Sequence, residues 1–249
     1  MNLSECNVLV TGGGSGLGRV LATDFAAAGA RVHLCGRRQQ PLASLAAENP
    51  RITAHILDVT DEDGTHALFA EIGPQQVVIA NAGIAEGAPF HATDRAMWDR
   101  IIAINLTGCF LTLRAGLQAL RQARADYGRL IAISSIMGLS GYRHASAYSA
   151  SKHGVIGLVS SLAEELDGSG ITANALCPGY LEGELTDRTV ASIMDRTGRS
   201  RDETVAMLAA TSPAARLIRP DEVSAAALRL CAPGSPTVNG EAISINGEV

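Results

Sequence analysis

The sequence predicts an α/β domain in which helices cover both faces of a parallel sheet, the doubly wound arrangement. Two observations predict this class: short apolar runs alternate with longer amphipathic segments, and no repeat, low-complexity tract or long linker interrupts them. A length of 249 residues suits one domain spanning residues 1–249, although about 150 residues per domain would allow two. Apolar residues make up 47% of the chain, which excludes intrinsic disorder.

Seven apolar runs are the predicted strands, at residues 8–11, 31–35, 53–57, 77–80, 129–134, 172–177 and 242–245. Helical periodicity between them predicts helices at residues 17–28, 40–47, 63–71, 97–124, 148–166 and 221–230. A seven-stranded parallel sheet of this kind binds its ligands at the carboxyl ends of the strands, near the point where the strand order reverses.

Composition excludes several classes of protein. The net charge of −5 argues against a nucleic-acid partner, because such proteins usually carry a basic face. No apolar stretch approaches 18 residues and the N-terminus has no basic segment, so we expect neither a membrane span nor a secretory signal. Five separated cysteines without a CxxC pair favour reduced thiols and a cytoplasmic location. The histidines lack metal-ligand spacing, so no metal site is expected.

A glycine-rich turn follows the first predicted strand and opens the first predicted helix. Gly12, Gly16 and Gly18 fit the pattern GxxxGxG, whereas a strict GxGxxG and the GK[ST] ending of a P-loop are both missing. Glycines let the backbone approach a bulky anion, and a helix N-terminus attracts phosphate. We therefore predict that Gly12, Ser15, Gly16, Leu17 and Gly18 bind a dinucleotide; a glycine turn without a ligand is the alternative.

The end of the second predicted strand indicates which dinucleotide binds. An NAD site usually has Asp or Glu there for the ribose 2′-hydroxyl, but this sequence has Cys35-Gly36-Arg37-Arg38. Because a guanidinium suits a 2′-phosphate, we predict NADP(H) rather than NAD(H), with Arg37 as the first contact and Arg38 as the second. A solvated arginine pair on the surface is the alternative.

Asp58 and Val59 follow the third predicted strand. The carboxylate of Asp58 could bind the amino group of adenine, or it could cap the helix that begins near Asp61. The first interpretation adds both residues to the cofactor site.

A tyrosine and a lysine form the candidate catalytic pair. Tyr148 and Lys152 are four residues apart on a predicted helix, so their side chains share one face. A neighbouring ammonium favours phenolate, which predicts that Lys152 lowers the pKa of Tyr148 and lets it donate or accept a proton. A bound nicotinamide cation would act in the same direction. The spacing alone is weak evidence, since most such pairs only decorate a helix surface.

Two further polar positions support the pair. Ser134 and Ser135 end an apolar strand, where a hydroxyl could polarise a carbonyl oxygen or simply cap a turn. Asn105 interrupts a helical apolar run, so we expect it to bond a buried partner or water.

These motifs occur together in a fixed order, with Ser135 thirteen residues before Tyr148: Thr11-Gly12, Gly16-Leu17-Gly18, Asn81-Ala82-Gly83, Asn105, Ser135, Tyr148-xxx-Lys152 and Pro178-Gly179. In this order and spacing the sequence resembles the short-chain dehydrogenase/reductase superfamily, in its compact branch, over essentially the whole chain. The longer epimerase-type branch would require glycine in place of Ser15. The resemblance implies a Rossmann-type fold and hydride transfer between a nicotinamide and a carbonyl carbon.

The resemblance also implies a role for each motif. Tyr148 would be the general acid/base, and Lys152 would lower its pKa and bind the nicotinamide ribose. Ser135 would hold the substrate oxygen, and Asn105 would keep a water molecule in a proton relay to Lys152. The remaining motif residues would bind the cofactor, on its adenosine side (Asn81, Ala82, Gly83) and on its nicotinamide side (Pro178, Gly179, Leu181).

Two positions depart from the family pattern. Gly183 stands where the family often has a threonine that binds the carboxamide, so Thr186 would have to substitute or the segment would order differently. The C-terminal Asn246-Gly247-Glu248-Val249 lacks the usual second glycine.

Residues 180–220 are polar and rich in arginine, with helical patches and no clear strand. A connection of this length predicts a lid inserted in the domain to cover the substrate, with a surface helical pair as the alternative. Its arginines could attract the phosphate of a phosphopantetheine or CoA, or could be solvated and balanced by neighbouring carboxylates. The arginines are residues 188, 196, 199, 201, 216 and 219.

The leading functional hypothesis is an NADP(H)-dependent reductase of a ketone, of the type acting on 3-oxoacyl-carrier-protein or 3-oxoacyl-CoA substrates. The alternatives are an NAD(P)-dependent dehydrogenase of a cyclic or small secondary alcohol, and a non-catalytic nucleotide-sensing scaffold. Met137, Tyr142, His144 and Tyr180 are candidate pocket residues. The long helices predicted at 97–124 and 148–166, rich in Ala, Leu and Val, predict a homodimer or homotetramer.

Overall fold

Seven parallel strands form the centre of the protein, in the order β3-β2-β1-β4-β5-β6-β7. The computed structural model describes residues 3–4, 6–232 and 238–247. The strands are β1 (Asn7–Thr11), β2 (Arg31–Gly36), β3 (Ile52–Ile56), β4 (Val77–Ala80), β5 (Gly128–Ile133), β6 (Ile171–Pro178) and β7 (Ala242–Ile245). Each coincides with a predicted apolar run to within two residues at either end, and the predicted fold class is confirmed.

The helices are α1 (Gly16–Ala27), α2 (Gln39–Glu48), α3 (Glu62–Ile72), α4 (Arg95–Ile102), α5 (Gly108–Gln122), α6 (Ser146–Leu166), α7 (Glu184–Thr197), α8 (Arg201–Ala209) and α9 (Pro220–Leu230). Short 3₁₀ turns lie at Phe90–Ala92 and Ile136–Gly138. The single long helix expected at residues 97–124 is interrupted, because a π-helical turn at Ala103–Thr107 separates α4 from α5.

Two apolar cores cover the two faces of the sheet. Alternate strand residues point to opposite faces, so Val8 and Val10 join one core and Leu9 joins the other. The first core includes residues of α1, α2 and α9, and the second includes residues of α3, α5 and α6. Strands buried on both faces explain why the apolar runs in the sequence are continuous rather than alternating.

The strand order reverses between β1 and β4, because β2 and β3 extend to one side of β1 and β5, β6 and β7 to the other side of β4. Connections that leave these two strands therefore run to opposite sides and open a crevice at their carboxyl ends. This crevice is where the predicted cofactor and catalytic residues should meet.

One helical stretch modifies the expectation about membranes. Arg95–Gln122, which includes α4 and α5, is long and apolar enough to cross a membrane by length and composition alone. Its mean hydropathy is high although polar residues interrupt the apolar run. However, 56% of its most apolar window is buried inside the protein, as in a core helix.

The 180–220 segment forms a helical pair, α7 and α8. Its two ends, residues 180–182 and Ile218, lie side by side and are called the neck here. Leu181 and Ile218 form an isolated parallel bridge. The Glu182 N–H donates to the carbonyl oxygen of Ile218, and the Ile218 N–H donates to that of Tyr180, each at 2.8 Å. The segment thus leaves and rejoins the domain at one place, just beyond the carboxyl end of β6.

Candidate active site

The glycine-rich turn joins β1 to α1 and packs against the loop that follows β4. Gly12 has φ +68°, and a Cβ on it would lie 2.9 Å from the Cα of Ala82. A Cβ on Gly18 would overlap the carbonyl oxygen of Gly12, so only glycine fits at both positions. A Cβ on Gly16, in contrast, would meet no atom within 4 Å. Leu17 packs on the first core, which orients the N-terminus of α1 toward this open space.

Thr11 and Asn81 connect the two strands that flank the crevice. The side-chain amide of Asn81 donates to the carbonyl oxygen of Thr11 at 2.8 Å. The backbone N–H groups of Asn81 and Ala82 both donate to the Thr11 hydroxyl at 3.0 Å. The predicted adenosine-side residues Asn81 and Ala82 therefore lie beside Gly12, and Gly83 continues from them toward Lys152.

Arg37 and Arg38 leave the end of β2 in different directions. The guanidinium of Arg38 donates to the Ser15 hydroxyl at 2.7 Å, which places it over the glycine-rich turn. Arg37 lies 3.9 Å from a carboxylate oxygen of Asp58. Both arginine side chains are more than half exposed, so they can exchange these contacts for a phosphate.

Asp58 does not cap the following helix, and that alternative is wrong. The cap of α3 is Asp61, whose carboxylate accepts a hydrogen bond from the N–H of Gly64 at 3.0 Å. Asp58 turns back instead to accept from the N–H and the hydroxyl of Thr60 at 3.0 and 2.8 Å. The N–H of Thr60 is the main reason that the pKa of Asp58 is lowered, so this group is an anion at neutral pH. Val59 is buried.

Ser134 and Ser135 follow β5 and have separate contacts. The Ser135 hydroxyl accepts a hydrogen bond from the N–H of Met137 at 3.1 Å, in the turn that begins at Ile136. Its own proton remains available for a second partner. The Ser134 hydroxyl donates to the carbonyl oxygen of Lys152 at 3.0 Å. Ser134 therefore fixes α6 to the end of β5, while Ser135 faces the phenol of Tyr148.

Lys152 is almost fully buried, with 4% of its surface exposed. Its ammonium donates to the carbonyl oxygen of Ile133 at 2.8 Å and lies 5.7 Å from the centre of the Tyr148 ring. Burial lowers the pKa of Lys152 to about 8. The helical spacing thus brings the two side chains to one face, as predicted from the sequence.

Burial of the phenol opposes the effect expected of the Lys152 ammonium on the pKa of Tyr148. Burial raises the pKa of Tyr148 to about 12, and a hydrogen bond from Ser135 opposes that rise. Lys152 makes no contribution large enough to offset the burial, because its ammonium is held by the strand carbonyl of Ile133 rather than by the phenol oxygen. The hydrogen bond from Ser135 favours the phenolate.

Asn105 lies in the π-helical turn, buried with 1% of its surface exposed. Its amide donates to the carbonyl oxygen of Ile84 at 2.9 Å and to the Ser151 hydroxyl at 3.1 Å, and its carbonyl accepts from the Ile84 N–H at 2.9 Å. The expected buried partner is therefore present. A Cβ on Gly83 would lie 3.3 Å from Oδ1 of Asn105 and 3.6 Å from Nζ of Lys152, so both polar atoms face one small space.

Pro178 ends β6, and Gly179 continues the chain by donating its N–H to the carbonyl oxygen of Ile245 at 2.9 Å. Leu181 then forms the bridge of the neck. Gly183 precedes α7 with φ +130°, a conformation that a threonine would adopt only under strain. Thr186, the possible substitute, is buried within α7.

A cleft of about 240 Å³ lies next to these residues. Its wall near the catalytic residues includes Ile136 and Tyr142, and its far wall is formed by residues 211–213 and Asn246. The Ser212 hydroxyl donates to the carbonyl oxygen of Asn246 and holds that wall in place. None of the residues that line the cleft carries a charge.

Of the four candidate pocket residues, Tyr142 lines the cleft. Tyr180 lies close enough to Tyr142 and Tyr148 for their charges to raise its pKa, which burial chiefly raises to about 12. His144 is exposed and has φ +63°, and Met137 belongs to the turn after Ser135. The usual second glycine of the C-terminal motif concerns residues 248–249, which lie outside the described residues.

The arginines of the 180–220 segment are mostly paired, as the solvated alternative predicts. Four of them contact carboxylates at 2.6–3.0 Å, in the pairs Arg188–Glu184, Arg201–Asp187, Arg216–Glu222 and Arg219–Asp221. Arg196 and Arg199 form no carboxylate pair within the described part of the chain; Arg196 donates to the carbonyl oxygen of Ser192 at 3.1 Å and Arg199 contacts the sulfur of Met207 at 2.9 Å.

Sequence reasoning missed two residues of the site. Ile84 uses both of its backbone groups to hold Asn105, and Ser151 donates to the carbonyl oxygen of Tyr148 at 2.7 Å while accepting from Asn105. Ser151 had a signal, because it is a polar residue one position before Lys152 on the buried face of α6. Ile84 had none, since only its backbone takes part.

Comparison with known proteins agrees with this geometry. The profile of the short chain dehydrogenase family matches residues 6–193. A cis-4-hydroxycyclohexanecarboxylate dehydrogenase from Sinomonas cyclohexanicum is 37% identical, over 98% of this chain and 96% of its own length. An acetoacetyl-CoA reductase from Rhizobium meliloti is 32% identical over 96% of both chains. A variant of actinorhodin polyketide ketoreductase, solved with NADPH, has a TM-score of 0.93 and 31% identity over 99% and 98% of the two chains.

Fold and site together define an oxidoreductase that acts on an alcohol or a ketone. The chain belongs to the short-chain dehydrogenase family, and the resemblance inferred from its motifs is confirmed.

Proposed function

We propose that the protein is an NADP(H)-dependent reductase of a neutral ketone of the 3-oxoacyl type, esterified to a carrier protein or to CoA. The observation that carries this proposal is the meeting of Ser135, Tyr148 and Lys152 at the carboxyl edge of the sheet, beside the glycine-rich turn. Relatives that support it include an acetoacetyl-CoA reductase and a polyketide ketoreductase solved with NADPH.

The residues present fit a phosphorylated dinucleotide. Gly12 and Gly18 leave no room for side chains under the turn, and the open space at Gly16 faces the N-terminus of α1. Arg37 and Arg38 would hold the 2′-phosphate, and Asp58 the adenine amino group. Pro178, Gly179 and Leu181 would line the nicotinamide side. When bound, the cofactor supplies the hydride.

In this proposal Tyr148 donates its proton to the substrate oxygen, which Ser135 holds with its free hydroxyl proton. The buried ammonium of Lys152 would bind the nicotinamide ribose, and it would replace the proton that Tyr148 has given up with one drawn through the small space that it shares with Asn105. A water molecule in that space would complete the relay, because Oδ1 of Asn105 has a second lone pair to offer.

The uncharged cleft supports a neutral acyl substrate. A free carboxylate would enter without a cation among the lining residues, so the cleft offers it no charged partner. The second candidate is a dehydrogenase of a cyclic or small secondary alcohol, which the relative acting on a hydroxycyclohexanecarboxylate favours. A nucleotide-sensing scaffold is the non-catalytic alternative.

The remaining proposals concern context. We propose that the 180–220 segment covers the substrate within a single domain of residues 1–249. We also propose that the protein works in the cytoplasm. Finally, we propose that α4–α5 and α6 form the interface of a homodimer or homotetramer. Support for the interface comes from aromatic side chains of the α4–α5 stretch, Trp98 and Phe110, each 39% exposed.

The test is NADPH oxidation with a panel of neutral 3-oxoacyl thioesters, free 3-oxo acids and cyclic ketones. We expect the thioesters to react best, with a higher kcat/KM for NADPH than for NADH. Tyr148→Phe should still bind NADPH but lose at least about a hundredfold in turnover, because general acid/base catalysis supplies that much. Full activity in the variant would remove Tyr148 from the mechanism. Binding of NADPH without reduction of any ketone would favour the scaffold.

A further inference from the structure

Arg38 is a point at which two parts of the site meet. It leaves the end of β2 and donates to the Ser15 hydroxyl at 2.7 Å. Ser15 precedes α1, but its side chain makes no capping hydrogen bond to that helix. Its hydroxyl is therefore committed to Arg38, and the two groups together form one polar corner above the glycine-rich turn.

The same guanidinium also contacts the 180–220 segment. A carboxylate oxygen of Glu184, the first residue of α7, lies 3.8 Å from the Arg38 nitrogen that bonds Ser15. The other carboxylate oxygen of Glu184 accepts a hydrogen bond from Arg188 at 2.6 Å. Arg188 of the same helix thus holds one carboxylate oxygen of Glu184, while the other oxygen faces Arg38 across the cofactor crevice.

This contact joins two otherwise separate regions. The helical pair α7–α8 is attached to the sheet by the neck at Leu181 and Ile218, and Asp187 and Arg201 pair the two helices with each other. Gly183, with φ +130°, lies between the neck and α7. A turn at Gly183 would move Glu184 toward or away from Arg38 without disturbing the neck.

We propose that Glu184 is a specificity-determining residue that occupies the position of a cofactor phosphate at Arg38 and is displaced when a 2′-phosphate binds. The inference rests on the proposed use of NADP(H). A 2′-phosphate carries more negative charge than a carboxylate and offers three oxygens to Arg38 and Ser15. NAD(H) brings no such anion, so Glu184 keeps its contact, and α7 responds to the phosphorylated cofactor alone.

Direct binding measurements test whether Glu184 competes with a 2′-phosphate for Arg38. Adenosine 2′,5′-bisphosphate and NADP⁺ should bind Glu184→Gln about two- to fivefold more tightly than the parent protein, the size expected for losing one exposed ion pair. NAD⁺ should bind both proteins equally. The matched control is Asp195→Asn, which removes one negative charge from α7 at an exposed position outside the ion pairs of the described residues.

Hydrogen exchange at the N–H of Asp187, which donates to the carbonyl oxygen of Gly183 at 3.0 Å in the first turn of α7, measures the displacement. Adenosine 2′,5′-bisphosphate should raise exchange there in the parent protein, and Glu184→Gln should exchange at the raised rate without it. Equal effects of the two substitutions, no tightening in Glu184→Gln, or weaker binding by it would overturn the inference while leaving the cofactor assignment intact. A parent protein that binds NAD⁺ but not adenosine 2′,5′-bisphosphate would overturn the cofactor assignment itself.

Discussion

At the residue scale, the chemistry of the site depends on burial that the sequence does not reveal. The spacing of Tyr148 and Lys152 correctly placed both on one helix face, but it did not reveal the burial that raises the pKa of the phenol. Desolvation depends on what packs around the ring, which only the folded chain determines. The close approach of Ser135 to Tyr148 likewise joins β5 to α6 and follows from tertiary structure.

Lys152 is the single lysine of the chain, because every other basic side chain except histidine is arginine. Burial lowers its pKa from 10.5 to about 8. Between these pH values the unfolded chain binds more protons than the folded one, so stability rises with pH across this window. At pH 7 the full cost of burying the ammonium is present.

We therefore expect Lys152→Met to raise the free energy of unfolding at pH 7 by about 1–3 kcal/mol. This gain corresponds to removing a burial cost of about one to two pKa units, since each unit is worth about 1.4 kcal/mol. The gain should shrink toward pH 10, and reductase activity should be lost. Urea unfolding at the two pH values measures the difference. A destabilised variant at pH 7 would contradict the expected cost of burial.

The pKa itself can be measured without ambiguity, since ¹⁵N-labelled lysine gives one side-chain signal. A titration midpoint near 10.5 would show that the ammonium is solvated in the folded protein and would remove the basis of the stability prediction.

At the element scale, the strands were predictable and one helix boundary was not. Runs such as Val77–Ala80 are apolar at every position because both faces of the sheet are covered, which is a local signal. The π-helical turn depends on Asn105 reaching the backbone of Ile84, a residue 21 positions away. A polar residue in an apolar helical run indicated that Asn105 bonds a buried partner, but it could not identify Ile84 as that partner.

Arg129 lies at the amino end of β5, opposite the carboxyl ends of the strands where the site is, and it connects several elements there. It is buried, with 3% of its surface exposed, and donates to the carbonyl oxygens of Leu230, Gly128 and Gly170 at 2.7–3.0 Å. Arg129→Met should lower the free energy of unfolding by about 3 kcal/mol, because these carbonyls lose a charged donor. Chemical denaturation measures it. Arg229→Met, at an exposed position on α9, should change stability by less than about 0.5 kcal/mol.

At the scale of the whole molecule, stability against acid should depend on a histidine pair on neighbouring strands. His33 of β2 and His55 of β3 share a hydrogen bond of 2.9 Å between ring nitrogens, and Glu71 lies 3.8 Å from His55. Burial lowers the pKa of both histidines, and the neighbouring His55 lowers that of His33 further. The folded protein thus binds fewer protons than the unfolded chain as the pH falls below 6.5.

We expect the Tm to fall between pH 7.5 and pH 5.5, and to fall less in His33→Gln, which removes one of the two paired rings. Differential scanning fluorimetry measures both. His91→Gln, at an exposed position, should retain the parent's dependence on pH. An equal fall in the parent and in His33→Gln would assign the acid sensitivity to other groups.

The solitary, buried lysine has a practical consequence outside catalysis. Aldehyde or active-ester supports, which couple enzymes through exposed side-chain amines, would find no such amine on this surface, whose cations are guanidinium groups. A lysine introduced at a chosen exposed position would therefore be the sole side-chain anchor, and with the N-terminal amine blocked every immobilised molecule would present its crevice in the same orientation.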